Sequence, residues 1–122
     1  MSIIKTGIDL IQNDRLADLN PRIRKRFIER VYTPYEIEYC GDSFISYSSR
    51  FAVKEAVAKA LGCGIGPVRW QEIEIINKDS GEPAIKLYGN AKNIALEQGL
   101  LEWTISLSHT NEYSTAIVIG YG

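Results

Sequence analysis

At 122 residues, with 45 % hydrophobic and 24 % charged residues, the chain has the balance of an ordinary globule and the length of one domain, expected to span 1–122. A formal net charge of −1 excludes bulk attraction to nucleic acid or to an anionic membrane, so any basic surface must be local. Cys40 and Cys63 have no paired spacing, which excludes a disulfide framework and a zinc site. The absence of a signal pattern in Met1 to Gly7 and of any membrane-spanning apolar run makes the cytoplasm the expected compartment.

Residues 3–11 read as a buried opening strand, broken by Gly7 and carrying one acid, Asp9, among Ile8, Leu10 and Ile11. An acid in such a run needs a partner. Asn20-Pro21 starts a helix running through about Val31, with Ile23, Phe27 and Val31 at helical spacing. Thr33-Pro34-Tyr35-Glu36 starts a second, short helix with the pattern of a reciprocal cap. Gly41 to Ser49 reads as a turn, after which Ser48 or Ser49 caps a longer helix that ends at Leu61 and stops on Gly62. The period then changes: Ile73 and Ile75 alternate with Glu72 and Glu74, and 77–83 turns the chain into Ala84 to Tyr88, a hairpin signal. Asn90 caps a helix ending at Gly99, and strands follow at Trp103–Leu107 and Tyr113–Ile119. The fold class is α+β, with a mostly antiparallel sheet packed against helices.

The chemistry gathers on few residues. On the long helix Val53, Ala56, Val57, Ala60 and Leu61 form an apolar stripe, while Glu55 and Lys59 lie one turn apart on another face. That spacing suits a surface ion pair, and equally a carboxylate holding Mg²⁺ beside an ammonium facing a phosphoryl oxygen. Asp9 reads either as a second magnesium ligand or as an acid bonded to backbone amides. His109, the sole histidine, follows a strand and suits either a turn position or a phosphate contact. Gly62-Cys63-Gly64-Ile65-Gly66 is glycine-rich yet matches neither the P-loop nor the dinucleotide fingerprint. From Arg15 to Arg30, six bases (Arg15, Arg22, Arg24, Lys25, Arg26, Arg30) stand against two acids, and Arg22, Arg26 and Arg30 fall four apart. This is either a solvated face or a surface for an acidic partner.

Three blocks in register carry a resemblance: Thr6-Gly7-Ile8-Asp9-Leu10-Ile11, the run Arg50-Phe51-Ala52-x-Lys54-Glu55-Ala56-x-x-Lys59-Ala60-Leu61-Gly62 extending to Gly66, and Trp103 to His109. The chain resembles the holo-acyl-carrier-protein synthases of the phosphopantetheinyl transferase superfamily over nearly its whole length. The resemblance implies transfer of the 4′-phosphopantetheine arm from coenzyme A to a serine of an acidic apo acyl carrier protein, with Mg²⁺ as cofactor. It further implies a homotrimer with active sites at subunit interfaces, which answers the difficulty of building a deep cleft in so short a chain.

On matching positions, Asp9 and Glu55 would bind the metal and Lys59 would neutralise phosphate charge. His109 would lie beside coenzyme A from a neighbouring subunit, and Gly62, Gly64 and Arg50 belong to the coenzyme-binding set. Arg15, Arg22 and Arg26 match the carrier-docking surface, while Arg50 and Lys54 count as supporting rather than catalytic. The proton acceptor is either Glu55 or a metal-bound water. Lys5, Cys63 and the short stretch between Glu38 and Arg50 depart from the usual pattern. A coenzyme-binding module without catalysis and a pyrophosphate-cleaving hydrolase are the competing readings. The intact acids and lysine speak against the first, and the basic stripe against the second.

Overall fold

A computed structural model describes residues 2–122. In chain order these form β1 (Ile4–Gln12), α1 (Asp14–Ala17), α2 (Pro21–Val31), α3 (Pro34–Cys40), α4 (Phe44–Leu61), a 3-10 turn at Trp70–Glu72, β2 (Ile73–Asn77), β3 (Pro83–Leu87), α5 (Gly89–Glu97), β4 (Glu102–His109) and β5 (Tyr113–Tyr121). The architecture is α+β, as the sequence implied. β1, β5 and β4 make a three-stranded sheet in that order, β2 and β3 pair as a hairpin, and these three strand pairings are antiparallel.

α4 lies along the inner face of the larger sheet. Its stripe, Ala52, Val53, Ala56, Val57, Ala60 and Leu61, is buried against Ala116 and Val118 of β5 and the hairpin residues Ile73 and Ile75. Small side chains bring helix and sheet close. Gly7 does not break β1, which continues through it; a Cβ there would stand 1.8 Å from the Ala56 carbonyl oxygen, so only glycine admits the helix at this distance.

The opening strand is buried on one face only, contrary to the expectation of burial throughout. Ile4, Ile8 and Leu10 are 68 %, 62 % and 63 % exposed. Register places Ile8 opposite Ile117 and Ile4 opposite Tyr121, so the face turned away from α4 is a bare apolar surface. The run of hydrophobic residues reflects two apolar faces, of which this protomer covers one.

The caps explain the helix boundaries. Asn20 accepts from the Arg22 amide at 2.9 Å ahead of Pro21, and Thr33 and Glu36 cap one another's backbone at 3.3 and 2.9 Å, both as expected. α4, however, begins before Ser48 and Ser49. Ser43 is its cap, accepting from Ser46 N at 3.2 Å, and the two later serines sit buried within the helix. Their hydroxyls look like caps in sequence because the tertiary partner that absorbs one of them, Ser114, is 65 residues away. Gly62 ends the helix with φ 80°, as predicted. α5 differs too: Asn90 lies inside it and bonds the Pro67 carbonyl at 2.7 Å, while Glu72 accepts the Asn90 amide at 2.7 Å and so serves as a cap from outside the helix.

A second cluster, Leu16, Val31, Tyr32, Cys40 and Tyr47 with Phe27, Phe51 and Trp70, seats α1, α2 and α3 on the outer end of α4. Between the two clusters Lys54 is fully buried. Its ammonium lies 2.8 Å from Glu36 and also donates to the carbonyls of Trp70 and Ile73; Glu36 in turn accepts the Ile75 amide at 2.9 Å. One ion pair thus ties α3, α4 and β2 together. Among the described residues no helix is long and apolar enough to cross a membrane.

Candidate active site

Two residues beyond the glycine contact, β1 presents Asp9 on the inner face, with its side chain 16 % exposed. Lys59, near the end of α4, donates to Asp9 Oδ1 at 3.1 Å and to the Ile8 carbonyl at 2.9 Å. The ammonium therefore takes Asp9 across 50 residues of sequence rather than its helical neighbour Glu55. The alternative in which Asp9 is satisfied by backbone amides gives way to this contact. Glu55, one turn before Lys59, is half-buried, and burial lifts its carboxyl pKa above the ordinary 4.5; the Asp9 charge raises it further and Lys59 lowers it. Asp9, Glu55 and Lys59 are thus one electrostatic unit built by the crossing of β1 and α4.

Two carboxylates that repel one another, with one held by a movable ammonium, form a donor set for a hard cation. Among the described residues there is no cluster of three or more acids, histidines or cysteines such as a closed all-protein site needs. Magnesium asks less, since it binds through one or two carboxylates and completes its octahedron with water and phosphate. The residues present fit that ion.

Other expected residues stand apart. Asp9 faces Ala116 on β5, which faces Leu107 on β4, so His109 is two strands over and two residues along, roughly 12 Å from Asp9 by strand spacing. Its position is exposed, at the end of β4. Arg50 is also distant in orientation, five residues before Glu55 on α4, and is only 5 % exposed. Its guanidinium lies 4.3 Å from the Tyr39 ring centre and donates to the Ser46 carbonyl at 3.3 Å and Asn77 Oδ1 at 3.2 Å. Nε has no partner, and none of the ion pairs among the described residues includes Arg50. Gly62 and Gly64 open the loop beyond Lys59 with φ of 80° and 66°, and Gly64 N donates back to the Ala58 carbonyl at 3.3 Å.

Arg15, Arg22 and Arg26 are all exposed along α1 and α2. Arg24 turns inward instead, over the Phe44 ring and onto the Ala17 carbonyl at 3.1 Å. Beside the arginines lies an apolar cavity of about 240 Å³ floored by Ile23, Phe27 and Phe51, with Arg15 at its rim. This cavity is not legible in the sequence, because its walls come from four separate segments. Nor did it expose the surroundings of Arg50, where Tyr39 and Asn77 lie far apart in the chain. The Lys54–Glu36 pair left one trace, a lysine placed between the apolar positions of a buried helix.

Comparison with known proteins is consistent across the chain. The family described as the 4′-phosphopantetheinyl transferase superfamily matches residues 5–118. A holo-[acyl-carrier-protein] synthase of Herpetosiphon aurantiacus is 41 % identical over 127 residues, covering 98 % of this chain and 100 % of the relative. That of Moorella thermoacetica is 41 % identical over 120 residues, covering 96 % and 93 %. The crystal structure of the Helicobacter pylori holo-[acyl-carrier-protein] synthase in complex with coenzyme A superposes with a TM-score of 0.85 at 31 % identity, covering 94 % of this chain and 98 % of that one.

Proposed function

Because this chain belongs to the holo-acyl-carrier-protein synthases of the 4′-phosphopantetheinyl transferase superfamily, we propose that it transfers the phosphopantetheine arm of coenzyme A to a serine of an acidic apo acyl carrier protein, releasing adenosine 3′,5′-bisphosphate. The observation that carries this reading is the convergence of Asp9, Glu55 and Lys59 at one crossing of strand and helix. In the transfer the serine oxygen forms a bond to the β-phosphorus, and the bond from that phosphorus to the bridging oxygen breaks.

Asp9 and Glu55 would hold Mg²⁺ against the coenzyme pyrophosphate, and when bound the ion neutralises charge on the phosphoryl oxygens. Lys59, which donates to Asp9 Oδ1, would face the same oxygens with its ammonium. Glu55 accepts the serine proton directly or through an intervening water. Arg50 is a buried cation that has no ion-pair partner among the described residues, and a coenzyme phosphate would supply the missing charge.

Arg50 and His109 lie away from the carboxylates, which supports a site assembled from two protomers, with His109 supplied by the neighbour. The bare face of β1 and β5 supports the same assembly, a homotrimer. Burying Ile8, Leu10 and Ile117 there gains roughly 25 cal/mol per Å² of apolar area. Ile117→Asp is therefore expected to yield a folded monomer by light scattering, with transfer activity lost at concentrations where the native chain is trimeric. The free thiols Cys40 and Cys63 suit the reducing cytoplasm, where the reaction would proceed.

The direct test is incubation with coenzyme A, Mg²⁺ and apo carrier. One arm adds about 340 Da to the carrier's intact mass, an increment set by the transferred group, and an unshifted mass across a panel of carriers would refute the assignment. The exposed arginines and the apolar cavity beside them would dock the carrier's acidic helix. Arg26→Glu is expected to raise the carrier KM by about tenfold or more while leaving that for coenzyme A nearly unchanged. Equal effects on both constants would remove the docking role.

A further inference from the structure

Asn13 is a carboxamide buried at the end of an apolar strand, 4 % exposed, where a leucine would fill the same space without a polar group to satisfy. Its side chain and its amide bond to the chain reversal between β4 and β5 and to the start of β5. Nδ2 donates to the Thr110 carbonyl at 2.9 Å and to the Asn111 carbonyl at 3.2 Å, and the backbone amide donates to the Glu112 carbonyl at 2.8 Å. Oδ1 accepts the fully buried Ser114 hydroxyl at 2.6 Å, and Ser49 donates to that hydroxyl at 3.4 Å. The reversal closes on itself as well, since Thr110 Oγ1 accepts the Glu112 and Tyr113 amides at 3.2 and 3.0 Å.

His109 is the residue that enters this reversal, and Ser114 is its partner in the β4–β5 register. Ser49 precedes Arg50 on α4. One buried network therefore spans β1, β5, α4 and the turn, and its two ends adjoin the residues proposed above to contact coenzyme A. We infer that Asn13 is a positioning residue for the reaction: it holds the reversal so that His109 is presented to the coenzyme in a fixed place. The inference rests on the reading of His109 as a coenzyme contact. Asn13 does not itself touch the reacting groups.

The test combines kinetics with an observation on the free enzyme. Asn13→Ala, which removes all three side-chain hydrogen bonds to the reversal and to Ser114, is expected to raise the coenzyme A KM about tenfold, with kcat and the carrier KM within about twofold of wild type. Ser114→Ala, which removes the shortest of the Asn13 bonds together with the longer Ser49 contact, should shift the same constant in the same direction by less, and it serves if Asn13→Ala does not fold. In a His109→Ala background, Asn13→Ala should add less than about twofold, because the residue it positions is gone. Full multiplication of the two effects overturns the inference.

Independently of any substrate, the chain's single histidine gives one set of ring signals in NMR. Asn13→Ala should shift or broaden them and speed exchange of the Thr110 amide, which donates to the Tyr113 carbonyl at 2.8 Å. Unchanged ring signals and unchanged exchange also overturn the inference. If His109→Ala leaves the coenzyme KM at its native value, the contact assigned to His109 fails, while the ring signals and the amide exchange still decide whether Asn13 holds the reversal.

Discussion

Replacing Glu55 with Gln is expected to lower phosphopantetheine transfer by at least about a hundredfold while leaving the unfolding curve of the metal-free protein intact or shifted upward. The substitution keeps the shape of the side chain and removes a charge that the free site disfavours: burial and the Asp9 charge both raise the Glu55 pKa above 4.5. The sign follows from linkage. A carboxyl whose folded value is raised contributes stability that is fully present below its unfolded value near 4.5 and is lost as pH rises through the folded value. Metal-free wild type should therefore lose stability across that interval in thermal melts, and Glu55→Gln should lose less. Magnesium should raise the wild-type melting temperature more at pH 7.5 than at pH 4.5, since protons and the cation compete for the same oxygens. A magnesium-induced shift in Glu55→Gln as large as in wild type would contradict the ligand role.

The second large effect concerns stability rather than chemistry. Lys54→Ala is expected to cost about 3–5 kcal/mol, because it leaves Glu36 buried without its counter-ion, and urea denaturation should show it as a lower midpoint at constant slope. For a domain of this size such a loss is a large fraction of the whole, since total stabilities are about 5–15 kcal/mol. Burial is the largest influence on the Lys54 ammonium and depresses its pKa below 10.5 despite the opposing attraction of Glu36, as expected where desolvation outweighs pairing. Removing both charges should accordingly be milder than removing one. Lys54→Met combined with Glu36→Gln is expected to recover much of the loss, because glutamine still accepts a backbone amide. The recovery stays incomplete, since Glu36 uses one oxygen for Thr33 N and the other for Ile75 N, and glutamine keeps only one acceptor. A double variant no more stable than Lys54→Ala would show that the pair contributes beyond charge compensation.

How far the sequence foretold this structure depended on the range of the interactions involved. Local signals were reliable: Asn20-Pro21, the Thr33–Glu36 box and Gly62 act as read, because each completes its hydrogen bonds or its backbone geometry within a few residues. The start of α4 was misplaced because Ser43, Ser48 and Ser49 offer the same hydroxyl, and only distant Ser114 distinguishes a buried serine from a cap. For the site, residue types were legible and pairings were not. Glu55 and Lys59 invite one another at helical spacing, yet Lys59 reaches Asp9 because β1 runs beneath that face of α4. Asn13, Arg50 and Lys54 were legible only as polar residues in apolar neighbourhoods. Their hydrogen-bond partners lie from 16 to 101 residues away, except for the Arg50 contact to Ser46 within its own helix.

Gly7 governs how closely the two halves of the proposed site can lie. The helix bearing Glu55 rests on the strand bearing Asp9 through a carbonyl seated on a bare α-carbon, as close as backbone can approach backbone. The missing methyl works as a gauge block. It sets how near the strand and the helix lie before any side chain adjusts. A methyl group there would lever the helix off the sheet and carry the two acids apart, so alanine at this position should weaken the proposed site without touching either of its carboxylates.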